Sequence, residues 1–162
     1  MPQAILDIDA QVEPAVLTLN NEHAEELSWL EPGRLSFLIE QAFRATRIGE
    51  IEAFLLAFDQ DADYDSRNFL WFRERYERFV YVDRIAVARQ ARGRGLARLL
   101  YGDLFDRAAR AGHRLIACEV NSEPPNAASD AFHAVLGFSE AGRGVIGDVK
   151  TVRYFTRLLD PR

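Results

Sequence analysis

The sequence predicts an α+β (mixed α/β) fold: a mostly antiparallel, twisted central sheet of about seven strands, flanked by helices. Three observations carry this. Strand-like apolar runs recur along the whole chain. Most of them are joined by short connections, which make antiparallel neighbours. One strand–helix–strand crossover, from Phe79 to Val120, adds a parallel pair. A doubly wound parallel sheet would need many more crossovers.

Val12 to Leu19 reads as a first strand, and Asn20-Asn21 as the cap of the helix that follows. Helical spacing of Leu35, Leu38, Ile39 and Ala42, interrupted by Pro32-Gly33, predicts two short helices over 22 to 43. Ala45–Ile48 and Ile51–Phe58 read as a hairpin turning at Gly49-Glu50. Asp59 to Ser66 is an acidic loop. Its alternating aspartates imitate a calcium loop, but Tyr64 replaces the turn glycine and Leu70 the bidentate glutamate, so no metal is expected. Arg67 to Tyr76 suits a short aromatic helix packed on the sheet. Phe79–Val87 is a strand, followed by a long helix over Leu96 to Ala111 with Gly112 as its C-cap. Leu115–Val120 is the next strand. Pro124-Pro125-Asn126 opens a helix with Phe132, Val135 and Leu136 as its buried face, ended by Gly137. Phe138–Val145 and Val149–Leu158 close the chain as a hairpin around Gly147-Asp148.

No linker or repeat divides the chain, so residues 1–162 are expected to form one domain. The net charge of −5 argues against nucleic acid as a partner, despite Arg84, Arg89, Arg92, Arg94 and Arg98. The single cysteine, Cys118, allows no internal disulfide and suits a cytoplasmic setting. Neither a secretory signal nor a membrane span is expected, because the longest apolar run is only Ala53 to Phe58. Exposed aromatics and terminal strands leave room for a homodimer.

The decisive segment is Gln90-Ala91-Arg92-Gly93-Arg94-Gly95, between the Phe79–Val87 strand and the long helix. A glycine turn at a helix start leaves backbone N–H groups free, where the helix dipole favours an anion. A dinucleotide fingerprint is excluded by Arg98, too large for the third glycine's role. A Walker loop is excluded because the chain has no Gly-Lys pair. What remains is Gln, two residues, Gly, one residue, Gly.

With Ile85-Ala86-Val87 before it and Asn126, Phe132-His133 and Leu136-Gly137-Phe138 after it, this loop resembles the GNAT superfamily of N-acyltransferases. The motifs cover residues 79 to 140, and the element order extends the likeness along the chain. The N-terminal half resembles a bacterial subgroup rather than any member of known substrate. The resemblance implies direct transfer of an acetyl group from acetyl-CoA to a primary amine of a small molecule or peptide. It implies that backbone N–H groups of Arg92 to Ala97, with Gln90, Ala91, Gly93, Arg94, Gly95 and Leu96, cradle the coenzyme's pyrophosphate. It implies a splayed pair of parallel strands whose free backbone at Ile85, Ala86 and Val87 binds the pantetheine arm. Asn121, Asn126, Ser129, Phe132 and His133 complete the implied cofactor wall.

His133 stands where the family often has a tyrosine that protonates the leaving thiolate. A histidine titrates near neutrality and could do this, or could only pack against the cofactor. Asp83 and Glu119, carboxylates within apolar strands bordering the cleft, are the candidate bases. An ion pair for Asp83, a hydrogen bond near Asn121 for Glu119, and ordered water as the base are the alternatives. Cys118 reads as a small buried residue. The competing function is a non-catalytic acyl-CoA-binding module.

Overall fold

The computed structural model describes residues 4–122, 127–147 and 150–160. Seven strands form one sheet: β1 (Ile5–Asp7), β2 (Arg44–Ile48), β3 (Ala53–Asp59), β4 (Val80–Val87), β5 (Leu115–Asn121), β6 (Ser139–Ile146) and β7 (Lys150–Leu158). Their order is β1-β2-β3-β4-β5-β7-β6, and β4–β5 is its one parallel pair. The mixed, mostly antiparallel sheet is as the hairpin pattern predicts. Six α-helices flank it: α1 (Glu13–Glu22), α2 (Ala24–Leu27), α3 (Pro32–Gln41), α4 (Arg67–Arg73), α5 (Leu96–Arg110) and α6 (Ala127–Val135). None of the described helices is long and apolar enough to cross a membrane.

The centre of the sheet follows from composition. In β3, Ala53 through Phe58 are all fully buried, as expected of a strand covered on both faces. The β2–β3 hairpin turns through Gly49, whose φ of 63° lies in the left-handed region. Under α4, Phe69 and Phe72 pack on Phe79 and Tyr81, with ring centroids 5.7–6.3 Å apart.

Two expectations fail for identifiable reasons. The segment Val12–Leu19 is helical and lies within α1; the first strand is Ile5–Asp7 instead. Asp9 Oδ1 accepts hydrogen bonds from the amides of Gln11 and Val12, and Pro14 sits in the first helical turn. Val16, Leu19 and Asn20 then share one buried face at helical spacing. Asn20 and Asn21 are consequently inside α1 and cap nothing. The second failure is in α6: Val135 is 71% exposed, and His133 is the helix's buried residue. Its partners, described below, turn a polar ring inward.

The edge strand β6 depends on glycine for a steric reason. Trp71 stacks on Tyr154 at 4.2 Å, and both rings press against β6. A Cβ at Gly142 would lie 2.5 Å from Trp71, and one at Gly144 would lie 2.7 Å from the Tyr154 hydroxyl. Gly142→Ala is expected to cost about 1–3 kcal/mol, because the stacked indole has little room to give. A thermal melt of the variant against wild type checks this; an unchanged midpoint would show that the stack is free to shift.

Candidate functional site

The sheet opens at its parallel pair. β4 and β5 are in register only at Val80↔Ile116 and Tyr81↔Ala117, although β4 continues to Val87 and β5 to Asn121. On the outer sides β3 pairs with β4 as far as Val87, and β7 pairs with β5 along its length. The sheet therefore splits along one line. Backbone groups of residues 82 to 87 that face β5 meet no strand there. A cleft of about 420 Å³ fills the split, walled by Asp83, Ile85, Tyr101, Cys118, Glu119 and His133. A second pocket of about 170 Å³ shares Asp83, Glu119 and Asn121 with it.

The glycine loop lies at the end of β4. Arg89–Ala91 form a single 3₁₀ turn, and Ala91 and Leu96 are buried anchors on either side of the exposed residues 92 to 95. Gly93 and Gly95 have φ of 80° and 73°. A Cβ at either would meet no atom within 4 Å, so conformation requires glycine here, and the space before the loop is open. The first bond of α5 is Leu99 N to Gly95 O, and Gly95 carries no side-chain cap. The amides just before it point forward with no helical acceptor, a ready site for phosphate oxygens. Arg94 is partly committed elsewhere, with Nη1 3.1 Å from Glu52 Oε2. The loop fits a pyrophosphate through its backbone rather than through a bare arginine pair.

Two carboxylates stand in the split, each capped by a tyrosine. Tyr81 Oη donates to Glu119 Oε2 at 2.6 Å. Burial pushes the Glu119 carboxyl up to about 8; the Tyr81 hydrogen bond opposes that rise and the Asp83 charge adds to it. Tyr64 Oη donates to Asp83 Oδ1 at 2.6 Å, and Arg84 Nε to Asp83 Oδ2 at 2.7 Å. Asp83 is thus an ion-pair member, with both side chains under 10% exposed. Arg84 also donates to Asn20 Oδ1, and Asn20 Nδ2 to the carbonyl of Ser28. Ser28 has a φ of 72°, the one positive value among described non-glycine residues.

His133 Nδ1 is 2.7 Å from the Ser129 carbonyl, which can only accept. That assigns the proton to Nδ1 and leaves Nε2 as an acceptor, 3.4 Å from the Tyr101 hydroxyl. Burial lowers the His133 pKa and holds the Tyr101 phenol well above its ordinary value. The Nε2 lone pair of the imidazole therefore faces the Tyr101 hydroxyl, which is the donor of the pair.

The chain matches the Acetyltransferase (GNAT) family over residues 16–138. It belongs to that family. No curated protein matches it. Solved structures with the same fold include the ribosomal-protein-S18-alanine N-acetyltransferase from Escherichia coli, with TM-score 0.71 and 19% identity, over 99% of this chain and 96% of that one. Another is yncA from Salmonella typhimurium with its cofactor acetyl-CoA, with TM-score 0.71 and 21% identity, over 100% and 96%. The NatC complex bound to Gag peptide and CoA aligns with TM-score 0.76 and 15% identity, over 99% and 100%. As a GNAT N-acetyltransferase the chain is an acyltransferase whose donor is acetyl-CoA.

Within this GNAT domain the predicted cofactor residues fall in two groups. Gly93, Arg94, Gly95, Leu96 and Ala97 make the open helix start, while Gln90 is exposed on the turn before it. Ile85 lines the cleft, whereas the Ala86 side chain is core. Asn121, Ser129 and His133 line the cleft too. Phe132 stands behind it, packed on Tyr101 at 5.8 Å. Asn126 lies outside the described residues. Cys118 is a buried wall residue whose thiol burial pushes up. Arg84, offered above to nucleic acid, is buried and paired.

Sequence reasoning missed Tyr64, Tyr81, Tyr101 and Asn20. Tyr81 and Tyr101 do not stand at the position where the family often has its tyrosine, and are set aside for that reason. The only available signal for Asn20 was an asparagine on the apolar face of a helix, hidden by the strand reading.

Proposed function

We propose that this enzyme moves the acetyl group directly onto a primary amine of a small molecule or peptide, with Glu119 as the base. One observation carries this. Glu119 is a half-buried carboxylate at the wall shared by the strand split and the smaller pocket, and desolvation there raises its pKa to about 8. An unperturbed carboxylate is a weak base toward an ammonium of pKa about 10; one raised toward 8 narrows that gap.

Bound acetyl-CoA supplies a thioester whose carbonyl carbon takes the amine nitrogen while the bond to sulfur breaks. The helix start of α5 holds the coenzyme's phosphates, and free β4 amides orient its arm and face the developing oxyanion. Glu119 accepts the ammonium proton at a carboxylate oxygen, and Tyr81 fixes its rotamer. The Tyr101–His133 pair donates a proton to the departing sulfur. The Nδ1 contact of His133 with the Ser129 carbonyl supports giving this role to the phenol beside it.

Isothermal titration with acetyl-CoA and a coupled thiol-release assay across amines test the reading. Absence of binding at millimolar acetyl-CoA would overturn it. Tyr101→Phe is expected to keep acetyl-CoA affinity and lower kcat about 10²-fold. Unchanged turnover in that variant would assign the proton to water.

A further inference from the structure

The smaller pocket indicates what kind of amine the site takes. It is lined by the end of α2, the starts of α4 and β7, and the β4 and β5 residues Asp83 and Glu119. Its volume, about 170 Å³, is close to that of a cavity that holds one benzene molecule, so about six heavy atoms of the acceptor fit inside it. The rest faces the larger cleft, with which it shares Asp83, Arg84, Glu119 and Lys150. Its walls are mainly polar and carry charges of both signs, Glu26, Asp83 and Glu119 against Arg84 and Lys150, with Leu27, Ile146 and Val152 as the apolar members.

The polar wall is held rigidly. Tyr154 Oη donates to Asn68 Oδ1 at 2.9 Å, which assigns the oxygen and leaves the Asn68 NH₂ facing Glu119. Tyr154 is in turn clamped by the Trp71 stack on one side and by β6 at Gly144 on the other. Val152, at 1% exposure, closes the base, paired in register with Asn121. A ring or branched alkyl group in this space would strip water from fixed amide and carboxylate groups and offer them nothing in return.

We infer that the acceptor is a small hydrophilic primary amine. The atoms within about six of its nitrogen carry hydroxyl or amide groups, and they include no aromatic ring or branched alkyl chain. This rests on the amine-transfer reading above and narrows it to one chemical class. Amino-acid amides with short polar side chains, and peptide amino ends beginning with such residues, have this form.

The experiment is thiol release by the full chain with acetyl-CoA and a series of amino-acid amides: glycinamide, serinamide, leucinamide and phenylalaninamide. Their amines are closely matched in basicity, so the side chain alone is varied. Glycinamide and serinamide are expected to exceed leucinamide and phenylalaninamide in kcat/KM by at least about 100-fold, since a site of fixed polar groups discriminates steeply. Equal or better use of the apolar pair overturns this inference and leaves amine transfer standing. No thiol release with any acceptor overturns both. Val152→Ala, which widens the pocket base, is expected to raise kcat/KM for leucinamide relative to serinamide at least about fivefold. A ratio unmoved in a folded variant would place the acceptor elsewhere.

Discussion

Glu119→Gln is expected to lower kcat/KM by about 10²–10³-fold while leaving the dissociation constant of acetyl-CoA within about twofold. Gln preserves the shape and can still accept the Tyr81 hydroxyl, so the loss is that of the proton acceptor. The wild-type pH profile supplies an independent signature. Only the ionised carboxylate can act, so the rate rises with pH and levels off above about 8, the value to which burial pushes this group. At pH 7 roughly a tenth of the molecules hold it ionised. The variant is expected to lose the carboxylate's part of that rise and keep only the part set by the amine's own ionisation. Stability moves in the opposite sense. The folded-state pKa lies above the ordinary 4.5, so the folded protein holds a proton that the unfolded chain has released. Wild-type stability from this group is full at low pH and declines as pH rises through about 8. Glutamine removes that decline. Kinetics over about pH 6 to 10 and melts over the same range check both halves. A rate profile unchanged by the substitution would exclude Glu119 as the base.

Arg84→Met is expected to destabilise the fold by about 3–5 kcal/mol, lowering the melting midpoint by roughly 10 °C. Asp83 and Arg84 are 2.7 Å apart and nearly solvent-free, so removing the guanidinium leaves a buried charge with only the Tyr64 hydroxyl against it. The same substitution releases Asn20, whose amide holds the Ser28 carbonyl beside the acceptor pocket. The double change Asp83→Asn with Arg84→Met is expected to recover most of the loss, because no charge then remains unpaired. Urea melts of the two variants decide it. A double variant no more stable than the single one would show that packing of the arginine, not its charge, holds the strand.

How far these groups could be read from sequence depends on the range of the forces that place them. The α5 start and its glycines are local: a strand, a turn requiring positive φ and a helix fall within twenty residues. The conformation of the loop was accordingly legible. The β6–β7 and β2–β3 hairpins were legible for the same reason. Val12–Leu19 was misread although Asp9 and Pro14 mark a helix start, because its apolar residues alone fit a strand as well as a helix. In α6 the apolar rule placed Val135 inside, but hydrogen bonds to Ser129 and Tyr101 and stacking on Phe155 turned His133 inward.

Taken alone, the sequence determined the mixed sheet, the glycine turn that opens α5 and the identity of the two strand carboxylates. These rest on spacing along the chain, which local sterics convert directly into geometry. Only the tertiary structure decided how each carboxylate is paired. Asp83 is neutralised by its neighbour Arg84, and Arg84 is held by Asn20 from 64 positions away. Glu119 receives hydroxyl and amide donors and is partly desolvated by the packing around the split. Burial and pairing arise from contacts between distant segments, and they set the charge state on which the chemistry depends.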